Sequence, residues 1–304
     1  MTSHALGIEQ MGWQRCQQIL ALARAIRNRC HRLPTLDRSV ALAFFEPSTR
    51  TRMSFELAAC TLGCRVMTFS ASGSSIEKGE STADTIRTLD AMGFDAIIIR
   101  HSASGAADYA ARFVHTAAII NAGDGCHEHP TQALLDVLTL LDVLGSIEGR
   151  RVAIVGDLLH SRVFRSDIAL LRMFGAQIGV CAPPLLMPHL LRDDIERLPD
   201  AASAMAWADA VIVLRLQRER MSSGLVPSFA DYRRRYSIRY EHLDATRAII
   251  CHPGPVNADV ELDAALIEHE RSMIQRQVTN GVMVRMALLI ETLAPDCVEQ
   301  ILSL

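Results

Sequence analysis

Apolar residues along the chain fall into two kinds of run. Residues 9–31 repeat at helical spacing, with Met11, Ile19, Leu20, Leu22, Ala23 and Ile26 on the apolar face. "SVALAFF" (39–45) is instead a short continuous apolar run of strand type. The alternation then continues. It predicts strands at 65–69, 95–100 and 116–120, helices at 82–92 and 106–113, and a strong amphipathic helix at 131–145 that Gly145 ends. "GSIEGRR" (145–151) reads as a linker. Beyond it, buried-strand runs recur at 151–157, 176–182, 209–215 and 247–253, with helical stretches between them. An apolar helix, "VRMALLIETLA" (284–294), closes the chain.

Strands that alternate with helices form parallel sheets covered on both faces. The pattern therefore predicts an α/β protein of two doubly wound parallel-sheet domains with a cleft between them. The expected division is 1–144 and 145–283, with the C-terminal helix, about 284–304, returning to the first domain. A chain of 304 residues accommodates two domains of ~150 residues each.

Composition narrows the function classes. Hydrophobic residues make up 49% and charged residues 21%, with a net charge of −3, so bulk charge argues against nucleic acid or an anionic membrane as partner. The eight cysteines form no CxxC pair and lie mostly in apolar runs, as reduced thiols of a cytoplasmic protein would. No signal peptide and no apolar run long enough to span a bilayer are read in the sequence. Lys78 is the single lysine; every other member of the 31 Lys and Arg residues is arginine. It sits in "SASGSSIEKGES" (70–81), a loop of serine and glycine.

In doubly wound sheets ligands bind at the carboxyl ends of strands, so the strand-end segments hold the candidate chemistry. In "FFEPSTRTRMSF" (44–55), Ser48, Thr49, Arg50 and Thr51 open a helix. That is either an anion cradle of free amides, hydroxyls and an arginine, or an ordinary capped helix. Arg100 ends a buried strand and serves a ligand or a structural ion pair. "GDGCHEHPTQ" offers His129 and Gln132 at a helix start, and its Cys and His spacing fits no common zinc pattern. "VGDLLHSR" has one glycine, Gly156, and no GxGxxG, which argues against a dinucleotide. It supplies Arg162; "VLRLQRER" supplies Arg215 and Gln217, and "CHPGPVN" the rigid Pro253–Gly254 turn. Two arginines from each half suit a ligand set with several negative groups, such as a phosphate and a dicarboxylate.

Together these segments resemble the aspartate/ornithine carbamoyltransferase family, and within it the aspartate-specific catalytic chains. The resemblance spans nearly the whole chain. "LRLQRERM" and "HPGP" look like the aspartate type rather than the ornithine type. It implies transfer of a carbamoyl group from carbamoyl phosphate to L-aspartate in pyrimidine biosynthesis, without cofactor or metal. It implies carbamoyl phosphate on Ser48, Thr49, Arg50, Thr51, Ser75, Arg100, His129, Gln132 and the Pro253–Gly254 carbonyls. Aspartate falls to Lys78, Arg162, Arg215 and Gln217. The catalytic set implied is Arg50, Thr51, Lys78, Arg100 and His129. Ser75 and Lys78 are expected to enter a neighbouring subunit's site in a homotrimer. A separate regulatory chain or a dihydroorotase-type partner stays open. Ala258 stands where many family members have arginine. The competing readings are a carbamoyltransferase with another acceptor such as ornithine, and a non-catalytic homologue serving as an assembly partner.

Overall fold

The structure is a computed structural model that describes residues 3–28, 33–70, 79–217 and 228–303. The chain divides into two compact units, Met1–Leu135 with Val278–Leu304, and Asp136–Gln277. The division falls inside a helix rather than at the Gly145 linker.

The first unit contains α1 (Ile8–Asn28), β1 (Ser39–Phe44), α2 (Thr49–Thr61), β2 (Arg65–Ser70), α3 (Thr82–Ala91), β3 (Ala96–His101), α4 (Ala106–Ala111) and β4 (Ala118–Asp124). Helix α5 (Pro130–Leu144) runs across the division. All strand pairs are parallel, in the order β2-β1-β3-β4. Val40, Ala41, Leu42, Ile97, Ile98, Ile119 and Ile120 are at most 2% exposed, as expected of a sheet covered on both faces.

The second unit contains β5 (Arg151–Gly156), α6 (Arg162–Met173), β6 (Gln177–Cys181), β7 (Ile195–Arg197), α7 (Ala201–Trp207), β8 (Ala210–Leu214), α8 (Phe229–Tyr236), β9 (Ile249–Cys251) and α9 (Ala264–Ile267). Its strands are parallel, in the order β7-β6-β5-β8-β9. Helices α10 (Ile274–Leu293) and α11 (Asp296–Ser303) finish the chain, and from Val278 onward they belong to the first unit. Arg15 pairs with Glu291 at 2.8 Å and Arg27 donates to Asn280 at 3.1 Å, tying α10 to α1.

Three elements depart from the sequence reading. β4 continues to Asp124, because the Asn121 side chain donates to Asp124 and to the Leu6 carbonyl, which allows polar residues inside a buried strand. Helix α10 begins ten residues before the expected 284. The three-residue edge strand β7 was not foreseen. Among the described residues, no helix is long and apolar enough to cross a membrane.

Candidate active site

The first sheet is wound in both directions from β1 and β3. Three predicted segments lie at the carboxyl ends of β1, β3 and β4, which are adjacent in the sheet. After β1 the chain turns at Pro47 into α2, with Ser48 as its N-cap residue. The Ser48 side chain makes no capping hydrogen bond, and free amides at a helix start can hold an anion. Thr51 is 7% exposed on the inner side of the first turn, whereas Thr49 and Arg50 are exposed.

Arg100 lies level with Phe44 in the β1–β3 register. Beyond it, the register with β4 slips by one residue between Ile99 and His101. This bulge places an extra residue of β4 opposite Arg100, and the Ala122 carbonyl accepts from the Arg100 guanidinium at 3.0 Å. A second guanidinium nitrogen stands 3.9 Å from Glu46, and the arginine side chain is 11% exposed. Arg100 is thus held by a carbonyl and a carboxylate beside the turn carrying Ser48–Thr51. Burial lowers the pKa of the adjacent His101, against the charges of Glu46 and Asp124, which favours its neutral form.

After β4, His129 (5% exposed) precedes Pro130, the first residue of α5, where a missing N–H costs nothing. The His129 carbonyl accepts from the Gln132 N–H at 2.9 Å, so both residues share the first turn. Buried Arg285 of α10 donates to Thr131 at 3.3 Å and stacks over Phe55 of α2, 5.0 Å from the ring centroid. It thereby links the start of α5 to the middle of α2.

The neighbouring "CHEH" residues do not converge on one point. Among the described residues, the one group placed as metal ligands would be is Asp108, Asp124 and His127, within 4.8 Å of one another. The Asp124 oxygens already accept from the Gly105 and Glu128 amides and the Asn121 side chain, which makes the group a loop brace.

The second sheet is wound both ways from β5 and β8. Arg162 opens α6 after β5 and is 7% exposed; the preceding Ser161 caps that helix by accepting from the Phe164 N–H. Arg215 and Gln217 follow β8, and Pro253–Gly254 follows β9. Asp157, fully buried, accepts from the His160 N–H at 3.2 Å and the Gln217 N–H at 3.3 Å, and sits 2.9 Å from His160 Nδ1. It links the turn carrying Arg162 to the turn carrying Gln217. Gly156 serves the close approach of β5 and β8: a Cβ there would lie 2.3 Å from the Leu214 carbonyl oxygen.

Each switch point therefore carries one pair of predicted arginines, Arg50 with Arg100 and Arg162 with Arg215. Ser75 and Lys78 lie outside the described residues. Sequence reading missed Glu46, Asp157 and Arg285, whose roles arise from partners remote in the chain. Burial pushes the thiols of Cys16 and Cys181 up to about 12 and that of Cys64 up to about 11, which keeps them protonated and poor nucleophiles at neutral pH.

The chain matches two family descriptions: "Aspartate/ornithine carbamoyltransferase, carbamoyl-P binding domain" over residues 3–142, and the corresponding "Asp/Orn binding domain" over residues 148–292. It is 44% identical to a Chlorobaculum parvum protein named aspartate carbamoyltransferase catalytic subunit, covering 96% of this chain and 99% of that one. A Thermus aquaticus protein of the same name is 48% identical, covering 93% and 96%. The crystal structure of the Trypanosoma cruzi aspartate transcarbamoylase, in complex with carbamoyl aspartate and phosphate, superposes with a TM-score of 0.87 at 34% identity, covering 96% of this chain and 97% of that chain.

Proposed function

This chain belongs to the aspartate/ornithine carbamoyltransferase family, and from that premise we propose how it transfers a carbamoyl group from carbamoyl phosphate to L-aspartate, giving N-carbamoyl-L-aspartate and phosphate. The observation that carries the reading is the arginine pair at each switch point, in a chain whose structural relative holds the two products of this reaction.

The phosphate of the donor sits on the amides and hydroxyls of Ser48, Thr49 and Thr51, with Arg50 and Arg100 supplying charge. Thr51, Arg100 and His129 donate to the carbamoyl oxygen. Gln132 and the Pro253 and Gly254 carbonyls hold the carbamoyl amide. The aspartate amine attacks the carbamoyl carbon, and charge grows on its oxygen. That oxygen meets donors already in place, each contributing ~3 kcal/mol. As the tetrahedral centre collapses, the bond to the phosphate oxygen breaks. The departing phosphate accepts the amine proton.

Arg162, Arg215 and Gln217 receive the two aspartate carboxylates. Ornithine would present an ammonium where this set expects an anion, so the same residues that attract aspartate repel it. The setting is pyrimidine biosynthesis in the cytoplasm. The thiols at Cys16, Cys60, Cys64, Cys181, Cys251 and Cys297, which form no disulfide, suit a reducing compartment.

The working assembly is a homotrimer. Met53 and Leu57, one turn apart on α2, are 51% and 55% exposed. Met67, on the edge strand β2, is 58% exposed. An apolar helix face beside an open sheet edge suits a second copy of the chain. Ser75 and Lys78, which follow β2 in the sequence, serve the neighbouring subunit's site in this assembly. Leu57→Asp is expected to give a folded protein that sediments as the 33.5 kDa chain rather than as three copies, with most activity lost. An unchanged sedimentation coefficient would place the subunit contact elsewhere.

Lys78 would bring a compact ammonium that serves phosphate and carboxylate in turn, a place that a wide guanidinium fork fits poorly. Lys78→Arg is expected to preserve trimer mass and thermal stability while turnover falls by about 10-fold or more. Near-normal turnover would make the single lysine incidental. Activity itself is tested by incubating the chain with carbamoyl phosphate and each amino acid in turn and following phosphate release.

A further inference from the structure

The turn after β9 is held from beneath by a chain of buried side chains that the reaction scheme leaves unassigned. His252 is 2% exposed. Its Nδ1 accepts the Gly254 N–H at 2.8 Å. That bond leaves the neutral ring's proton on Nε2, which lies 3.3 Å from Glu261 Oε1 and donates to it. The same carboxylate oxygen accepts the Asn257 N–H at 2.6 Å, and Glu261 is fully buried. The main-chain N–H of His252 donates to Gln277 Oε1 at 2.8 Å. Gln277, 2% exposed, donates in turn to Asp136 Oδ1 at 2.6 Å, and Asp136 is 1% exposed.

The anchored amides are those of residues 252, 254 and 257. They bracket Pro253 and Gly254 on both sides. Gly254 has a φ of +70°, in the left-handed region that other side chains avoid. A loop held only by its own backbone would not need a histidine, a glutamate, a glutamine and an aspartate taken out of water to hold it. Each of those groups is costly to bury unless its bonds are made, so the arrangement tolerates little displacement.

We propose that His252, Gln277 and Glu261 are positioning residues that fix the Pro253 and Gly254 carbonyls for the carbamoyl amide. The proposal rests on the carbamoyl-transfer reading and deepens it. His252 acts twice: its ring orders the Gly254 amide, and its backbone is tethered through Gln277 to Asp136. Glu261 sets the ring's tautomer and closes the far end of the turn at Asn257.

The test compares His252→Leu with His252→Asn in the full-length protein. Asparagine keeps an oxygen acceptor two residues before Gly254, the geometry of an Asx turn, whereas leucine removes it. His252→Leu is expected to raise the KM for carbamoyl phosphate by about tenfold, with the KM for aspartate within about twofold. His252→Asn is expected to bring the carbamoyl phosphate KM back to within about threefold of wild type. Should the leucine variant fail to fold, Gln277→Met leaves the ring in place and loosens only the tether. It is expected to show the same split, about fivefold.

A merely structural role would lower the thermal midpoint and leave both KM values alone. Folded variants with carbamoyl phosphate KM within twofold of wild type, or asparagine no better than leucine, would overturn the proposal. Failure of the underlying reading looks different, because wild-type protein would then form no N-carbamoyl-L-aspartate at all.

Discussion

Replacing Arg100 with alanine is expected to lower kcat/KM by about 10³, while the protein still folds. The size follows from the two roles proposed for it at one place: a charge for the phosphate and a donor to the carbamoyl oxygen. The fork lets one residue serve both proposed roles. One guanidinium nitrogen is held by the Ala122 carbonyl at 3.0 Å, and the planar group keeps its remaining donors in a fixed orientation. Arg100→Lys is therefore expected to recover only a small part of the activity, since a single ammonium cannot hold the carbonyl and span the donor in the same way. Glu46, 3.9 Å from the guanidinium, loses its counter-charge in the alanine variant. Because this carboxylate retains some solvent, the thermal midpoint is expected to fall by only about 3 °C. Steady-state rates and a melting curve on one preparation check both halves. A variant with near-normal kcat/KM would remove Arg100 from the mechanism.

The second large effect separates the two substrates. Arg162→Leu is expected to raise the KM for aspartate by about 100-fold, with that for carbamoyl phosphate nearly unchanged. Arg162 is the first residue of α6, and Ser161 already caps that helix, so the variant keeps the helix start intact. Arg162 is 7% exposed, in a turn fixed by Asp157, a setting in which a carboxylate partner is held in low dielectric rather than in water. Equal increases in both KM values would argue for a collapsed turn rather than a lost aspartate contact.

Much of the fold could be read from the sequence because parallel strands buried on both faces are written as continuous apolar runs. "AIIIR" and "RVAIVG" leave little choice. Reading failed where tertiary bonds let polar residues into regular structure. Asn121 and Asp124 look like loop residues until they satisfy one another, and so β4 is longer than its apolar run. Helix α10 starts early through "IQRQVTNG", whose glycine and β-branched residues argue against helix. There Gly281 provides room for Leu135 and the Arg285 side chain, which a Cβ would meet at 3.2 and 2.6 Å.

The same division holds in the candidate site. Residues proposed to touch substrate sit at strand ends, where the doubly wound topology says to look, and the arginines among them are conspicuous there. The residues that hold them were not legible. Gln277 and Asp136 are 141 positions apart, and Glu46 is recognisable as a partner only once β1 and β3 are paired. Nothing in local spacing announces such pairs. Ser75 and Lys78 were read from the sequence and lie outside the described residues.

The decisive measurement is product formation with the purified chain, carbamoyl phosphate and either L-aspartate or L-ornithine, followed by mass spectrometry. N-carbamoyl-L-aspartate and stoichiometric phosphate are expected with aspartate, and no carbamoylated product with ornithine. Citrulline from ornithine, or no carbamoylated aspartate from the folded and assembled protein, would contradict it.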